Sequence, residues 1–309
     1  MSDSESIGAQ RPAFMQIDAL ALKRQLRRLA VQADPPWLNS EISRRMVERL
    51  SVIKLQPRKV LQWSAFLGAS SEELRRAYPE AEWSLVEPVE ALRERSLAQL
   101  KSARRWFDSL RGRDPTPVLL PQQLKDGDAE LLWANMYLHL SPDPQALLRL
   151  WQRALAPDGF VMFSCLGPDS LRELRTLYGA LAWDSAGPEW IDMHDIGDML
   201  VEAGFADPVM DQERISLTWR DADRMLADLR ALGGNLSPDR FAACRTKAWR
   251  SGLLRELEAL RGPDGLLRLS LELVYGHAFK APPRAVLSAE TRIPLDEMRA
   301  LMRKPSGSR

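Results

Sequence analysis

The chain has 309 residues, of which 45% are hydrophobic and 28% are charged, which is an ordinary globular composition. Its 43 Lys and Arg residues nearly balance its 42 Asp and Glu residues, so the net charge identifies no partner. No run of about 18 apolar residues predicts a membrane-spanning helix, and the polar N-terminus lacks the apolar core of a signal peptide. We therefore expect a cytoplasmic protein that binds neither nucleic acid nor a membrane.

Two amphipathic helices are predicted at the start, over 15–33 and about 40–53, after a tail at 1–14 that we expect to be disordered. From residue 59 onward, short apolar runs alternate with helical patterns. The predicted strands cover 59–63, 82–87, 116–120, 130–138, 160–166, 211–219 and 267–280. The predicted helices between them cover 70–77, 88–103, about 144–155, a segment from about 169, and 193–203.

The helix after the fourth strand has the clearest boundaries. Asp143 can cap its N-terminus, and Pro144 suits its first position. The sequence "APDG" at 156–159 predicts a turn into the fifth strand, which is apolar throughout and therefore buried. Gly204 stands where a later helix should stop.

This alternation predicts an α/β fold with a doubly wound sheet. The last two predicted strands have no clear helix after them, which suits a final antiparallel strand. We expect a single domain over 15–280, with a helical lid at 15–53, a helical insertion at about 220–265 and a C-terminal extension at 281–309. Ligands of such sheets bind beyond the carboxyl end of the first strand, which places "SAFLG" (64–68) at the ligand position.

Several segments resemble a known family. The pair "GPDSLRELR" and "DMHDIGDMLVEAGFADPVMD" is the most specific, and "LAPDGF" is weaker. On these segments the chain, from about residue 16 to 280, resembles the class I S-adenosylmethionine-dependent methyltransferases, and more closely the malonyl-[acyl-carrier protein] O-methyltransferases of biotin synthesis.

The resemblance implies a seven-stranded sheet with the last strand antiparallel, N-terminal helices over the cofactor pocket, S-adenosylmethionine as cofactor and an acyl-carrier protein as partner. It also implies methyl transfer to the free carboxylate of a malonyl thioester. A carboxylate is already ionised at neutral pH, so the reaction needs positioning more than acid–base help. The lack of a catalytic triad or metal cluster is therefore no argument against it.

The loop after the first strand departs from the family pattern. The family has an acid followed by a Gly-x-Gly-x-Gly run there, and those positions fall on Gln62, Ser64, Phe66 and Gly68. Glycine lets the backbone approach a cofactor closely, so Gly68 is a predicted cofactor contact. The Phe66 ring is expected to occupy the space of the methionine moiety, and Gln62 lacks the charge that would hold its ammonium group.

The resemblance assigns further cofactor contacts at later strand ends. Glu87 is predicted to bind the ribose hydroxyls, and the alternative is a solvated acid at a strand end. No acid follows the third strand, because 120–122 stand in that place. Asn135 is predicted to contact the cofactor and Tyr137 to act near the methyl group; the alternative for both is capping of the strand end.

Two arginines are candidate substrate ligands. Arg172 and Arg175 start the helix after the fifth strand, where a guanidinium can bind the substrate carboxylate in a bidentate manner. The alternative is a surface pair with Glu173. The three histidines, His139, His194 and His277, have no metal-ligand spacing, and Cys165 is a predicted core residue, so no metal site is expected.

Three functions are consistent with this pattern. The first is an active carboxyl methyltransferase with a divergent loop. The second is a non-catalytic relative that has weakened or lost methyl-donor binding and acts on a carrier protein or on an active methyltransferase. The third is a changed ligand, smaller or more apolar, with the Phe66 and Trp63 rings filling the old pocket.

Overall fold

A computed structural model describes residues 17–69, 71–103 and 116–281. The predicted tail and nearly all of the predicted C-terminal extension lie outside these residues. The helices in the described part are α1 (Ala19–Ala30), α2 (Trp37–Arg49), α3 (Ala65–Gly68), α4 (Ser71–Ala77), α5 (Glu90–Ala103), α6 (Pro144–Ala154), α7 (Arg172–Ala180), α8 (Met193–Glu202), α9 (Ala222–Leu232) and α10 (Lys247–Ala259). The strands are β1 (Lys59–Trp63), β2 (Glu82–Val86), β3 (Val118–Leu119), β4 (Ala129–Ala134), β5 (Leu155–Leu166), β6 (Phe205–Trp219) and β7 (Leu267–Lys280).

The strands form one seven-stranded sheet in the order β3-β2-β1-β4-β5-β7-β6. The strands from β3 to β5 are parallel, whereas β7 is antiparallel to both of its neighbours. The order reverses between β1 and β4, because the chain first builds outward from β1 and then returns to its other side. This confirms the predicted α/β fold with a last antiparallel strand.

Three predicted boundaries were wrong. The fourth strand ends at Ala134 rather than 138, because Met136 has a φ of 53°, which a strand cannot continue. The segment 156–159, predicted as a turn, lies inside β5, where the pairing with β4 shifts register. The sixth strand is longer than predicted and begins at Phe205.

Hydrophobic clusters cover both faces of the sheet. One packs α6 and α8 on β4 and β5, and another packs α2 and α4 on the opposite face. Cys165 is buried in the first cluster, as predicted. No helix in the described part of the chain is both long and apolar enough to cross a membrane.

Helix α1 is attached to the helical insertion that follows β6. The Asp18 carboxylate caps α1 by accepting hydrogen bonds from two backbone N–H groups, and it forms an ion pair with Arg240 at 2.7 Å. At the other end of α1, Arg28 donates a hydrogen bond of 2.6 Å to the carbonyl of Gly233. These contacts hold α1 across the carboxyl edge of the sheet, beside the point where the strand order reverses.

Candidate functional site

The loop after β1 (residues 64–68, called here the β1 loop) folds as a turn of helix. Ser64 adopts a left-handed conformation with a φ of 50°, and the Gly68 N–H donates a hydrogen bond of 2.7 Å to the Ser64 carbonyl. This hydrogen-bonded turn directs the Phe66 and Leu67 side chains toward α1.

Phe66 fills the space above the carboxyl ends of β1 and β2. Its side chain is 5% exposed, and the Arg95 guanidinium carbon lies 4.8 Å from its ring centre. Phe66 belongs to an apolar cluster, called here the α1 cluster, in which α1 contributes half of the other buried residues. Those residues are Ile17, Leu22, Leu26, Leu29, Ala30, Leu67, Leu92 and Leu236. Phe66, the residue predicted to occupy the space of the methionine moiety, is therefore packed within an apolar cluster.

Glu87 lies beneath the β1 loop and is fully buried, so the alternative of a solvated strand-end acid is wrong. One carboxylate oxygen accepts hydrogen bonds from the Phe66 N–H at 2.8 Å and from the Ser96 hydroxyl at 2.6 Å. Burial raises the pKa of Glu87 to about 7, and the two hydrogen bonds limit the rise. The carboxylate that should meet the ribose is thus engaged by the loop itself.

Several polar atoms around the β1 loop are buried without a hydrogen-bond partner among the described residues. They are Gln62 Oε1, Trp63 Nε1, Ser64 Oγ and Glu87 Oε2. Gln62 is fully buried, and its amide nitrogen lies 3.5 Å from the Ala65 carbonyl. Buried polar groups usually find partners, so this concentration of unsatisfied atoms distinguishes the loop from an ordinary apolar core.

Asn135 connects the β1 loop to its surroundings. Its side-chain nitrogen donates to the carbonyls of Gly68 at 2.6 Å and Asn39 at 2.7 Å, and its oxygen accepts from the Ser164 hydroxyl at 2.7 Å. Asn39 in turn donates to the Leu67 carbonyl at 2.9 Å. These bonds satisfy the Asn135 amide with protein groups, and they fix α2 against the loop.

Tyr137 points into the core. Its ring lies edge-on to Trp63 at a centroid distance of 5.9 Å, and Trp63 makes a similar contact with Trp151. Burial raises the pKa of Tyr137. The structure therefore brings Gly68, Glu87, Asn135 and Tyr137 to one end of the sheet, while their functional roles stay predictions.

The two candidate arginines, at the start of α7, have partners outside that group. Arg172 is largely exposed, and its Nε is 3.5 Å from the Glu173 carboxylate, the geometry of the surface-pair alternative. Arg175 donates a hydrogen bond to the Pro168 carbonyl, and its guanidinium carbon lies 5.8 Å from the centre of the Trp190 ring. Their assignment to a substrate carboxylate stays a prediction.

A cavity of about 430 Å³, called here the leucine cavity, lies beside the β1 loop. Leucine is the most frequent residue in its lining, with leucines from α1, α2, α7 and α9 among them, and Met136, His139 and Leu166 line it at the ends of β4 and β5. Burial lowers the pKa of His139 to about 3, so its ring is neutral at physiological pH. None of the six predicted site residues lines this cavity.

Sequence reasoning missed the polar groups at the rim of the leucine cavity. Gln25 and Arg28 of α1 meet Arg230 of α9 there. The basic run "KRQLRR" at 23–28 marks α1 as a charged helix, but no local pattern connects it with α9. In the described part of the chain, no group of three or more His, Cys, Asp or Glu side chains could hold a metal ion.

The sheet order and the antiparallel β7 define the fold of a class I methyltransferase. The YcgJ protein of Bacillus subtilis has a matching structure with a TM-score of 0.50 and 12% identity, covering 78% of this chain and 99% of that one. No family model matches the sequence.

Curated relatives identify the family more narrowly. The malonyl-[acyl-carrier protein] O-methyltransferase of Gallionella capsiferriformans is 36% identical over 274 residues, covering 87% of this chain and 93% of the relative. The enzyme of the same name from Nitrosospira multiformis is 33% identical over 310 residues, covering 94% and 98%. The chain belongs to the malonyl-[acyl-carrier protein] O-methyltransferase family.

Proposed function

We propose that this chain, unlike an active member of its family, has weakened or lost methyl-donor binding. It acts as a binding or regulatory relative toward an acyl-carrier protein or an active methyltransferase. The relatives' names support the carrier protein as the partner class. By family membership the cofactor is S-adenosylmethionine, and the geometry at its expected position supports weakened or lost binding.

The residues at the donor position do not fit S-adenosylmethionine. The single observation that carries this conclusion is the closure of the β1 loop on Glu87, whose carboxylate is fully buried and bonded to the Phe66 N–H. Above it, the Phe66 ring is packed into the α1 cluster. Binding would require the ring to leave an apolar cluster and the carboxylate to exchange its partners, and both changes cost free energy.

A second candidate is an active carboxyl methyltransferase whose β1 loop opens when the donor binds. The observation in its favour is the set of unsatisfied buried polar atoms at Gln62, Trp63, Ser64 and Glu87. A polar ligand that reached these atoms would relieve their desolvation cost. The ligand would have to displace α1, which is held by the Asp18–Arg240 ion pair.

Methyl transfer distinguishes the two candidates. The chain is incubated with malonyl-[acyl-carrier protein] and S-adenosylmethionine labelled in its methyl group, with the Gallionella relative as a matched positive control. We expect label on the carrier protein only in the control, and no rescue of a biotin auxotroph that lacks its own methyltransferase. Label transferred by this chain, or rescue of the auxotroph, would establish the active enzyme instead.

The binding role has its own measurement. Malonyl-[acyl-carrier protein] is immobilised and the chain is passed over it, with the acyl-carrier protein lacking its prosthetic arm as the control. We expect saturable binding that needs no methyl donor. Absence of binding to the carrier protein leaves the active methyltransferase as the partner to test by co-purification, and absence of both interactions contradicts the proposed role.

A further inference from the structure

The leucine cavity is suited to an apolar ligand. Leucine is the most frequent residue in its lining, and no Asp or Glu among the described residues lines it. Its volume of about 430 Å³ lies in the range of small-molecule sites, which are mostly apolar with a few polar groups. A malonyl group, with two carboxyl carbons and one methylene, would leave most of this apolar wall without contact.

The rim of the cavity carries positive charge that no described acid balances. Arg28 and Arg230 are both exposed, and neither forms an ion pair with a residue in the described ranges. Both residues line the cavity, and the Arg28 guanidinium donates to the backbone carbonyl of Arg230 at 3.0 Å. The pKa of Arg28 is lowered, first by burial and then by the charge of Arg230, which shows that the two charges repel.

A buried amide stands at the same rim. Gln25 is 7% exposed and lines the cavity, and its amide atoms are not among the fully buried polar atoms that lack a partner in the described residues. Gly233 gives it room, because a Cβ at that position would lie 2.2 Å from the Gln25 side-chain nitrogen. Its side-chain amide N–H can donate a hydrogen bond to a ligand oxygen that enters the cavity at this rim.

We propose that the leucine cavity binds a long-chain carboxylate such as a fatty acid. The chain lies along the leucine wall, and the carboxylate lies between Arg28, Arg230 and Gln25. Burial of the chain supplies most of the affinity, and charge-assisted hydrogen bonds at the rim select an anion over a neutral head group. A free fatty acid fits better than a malonyl group because apolar wall, rather than polar surface, forms most of the cavity.

The test is calorimetric titration of the full chain with dodecanoate below its micellar concentration, alongside methyl dodecanoate and malonate. We expect saturable binding of dodecanoate, binding of the methyl ester at least about tenfold weaker, and no binding of malonate. A tenfold difference corresponds to about 1.4 kcal/mol. Equal affinity for the methyl ester, or no saturable binding of dodecanoate, would overturn the proposal.

Variants locate the site. Arg28→Gln and Arg230→Gln should each weaken dodecanoate binding about tenfold, while Arg24→Gln, an exposed arginine of the same helix outside the cavity lining, should leave it unchanged. Ala186→Phe places a ring in the cavity and should abolish binding in a protein that still melts cooperatively. An Arg24→Gln loss equal to that of Arg28→Gln would overturn the proposal, because binding would then follow surface charge alone.

This inference does not depend on the proposed loss of methyl-donor binding. A chain that bound both S-adenosylmethionine and dodecanoate would contradict the proposed function and keep the fatty-acid site. A chain that bound neither would keep the proposed function and remove the site.

Discussion

The β1 loop and the leucine cavity lie at the same edge of the sheet, yet one is filled and the other is open. At the β1 loop, Phe66 and the leucines of α1 pack above a buried Glu87. In the leucine cavity, side chains of α1 and α9 leave about 430 Å³ between them. The carboxyl ends of parallel strands are a general place for ligands, but the side chains there decide which part of the edge stays accessible.

Membership of a family therefore does not by itself determine the chemistry of the site. The scaffold of this chain follows its family, while in the β1 loop the Phe66 ring packs against α1 and the Phe66 N–H donates to the Glu87 carboxylate. The following experiments test the closed region and the residues that hold it shut, in order of decreasing expected effect.

The largest effect is expected for Phe66→Ala, which removes the ring from the α1 cluster. Truncation of a buried phenylalanine costs about 4 kcal/mol, because apolar contact is lost and a cavity remains. Urea unfolding followed by circular dichroism measures it, and Phe66→Leu, which nearly conserves volume, should cost less than about 1.5 kcal/mol. A cost below about 1 kcal/mol for the alanine variant would show that the ring does not fill the donor position.

A pH-dependent effect is expected from Glu87. Its pKa in the folded protein, about 7, is above its ordinary value of 4.5, so the folded state holds the proton more tightly than the unfolded chain. The stabilisation is therefore complete below pH 4.5 and is lost as the pH rises through 7. Relative to Glu87→Gln, wild type should lose about 3 kcal/mol of unfolding free energy between pH 4 and pH 8.

Glutamine is a suitable control at this position because its carbonyl oxygen can still accept from Phe66 and Ser96. The measurement is the difference between wild-type and variant unfolding free energies at each pH, which cancels the titration of other groups. A difference that stays constant from pH 4 to pH 8 would contradict a buried, proton-binding Glu87.

A smaller effect is expected for Asn135→Ala. The substitution removes the buried hydrogen bonds that the Asn135 amide donates to the Gly68 and Asn39 carbonyls and accepts from the Ser164 hydroxyl, which should cost about 2 kcal/mol. Asn235→Ala removes two half-buried hydrogen bonds, one donated to the Ser185 carbonyl and one accepted from the Ser237 N–H; it is the matched control and should cost less. Equal costs would show that Asn135 does not hold the β1 loop to α2.

The smallest effect is expected for Arg172→Ala. The Arg172–Glu173 pair is exposed to solvent, and such pairs contribute between zero and about 1 kcal/mol. We expect a change in unfolding free energy below about 0.5 kcal/mol and no change in carrier-protein affinity. A clear loss of affinity with unchanged stability would instead support the predicted contact with the substrate carboxylate.

Local sequence patterns predicted most of the fold. The apolar run at 59–63 coincides with β1, and the Asp143–Pro144 signal marks the start of α6, because strand burial and helix capping depend on neighbouring residues. The helical turn at 65–68 was not predicted, since it depends on a hydrogen bond from Phe66 to a carboxylate 21 residues later.

The sequence did not predict the leucine cavity, because it too depends on contacts between residues that are distant in the chain. Arg28 and Arg230 are 202 residues apart and meet only because α1 and α9 cross the same edge of the sheet. The altered positions Gln62 and Phe66, by contrast, could be found by comparison with the family pattern, because the strand before them fixed the register.

Calorimetric titration with S-adenosylmethionine and S-adenosylhomocysteine tests the closure of the donor position most directly. The Gallionella relative serves as the positive control under the same conditions. The closed β1 loop predicts no saturable heat from this chain at millimolar cofactor, in a protein that melts cooperatively. Binding as tight as that of the control would contradict it and would show that the Phe66 ring and α1 move aside for the methyl donor.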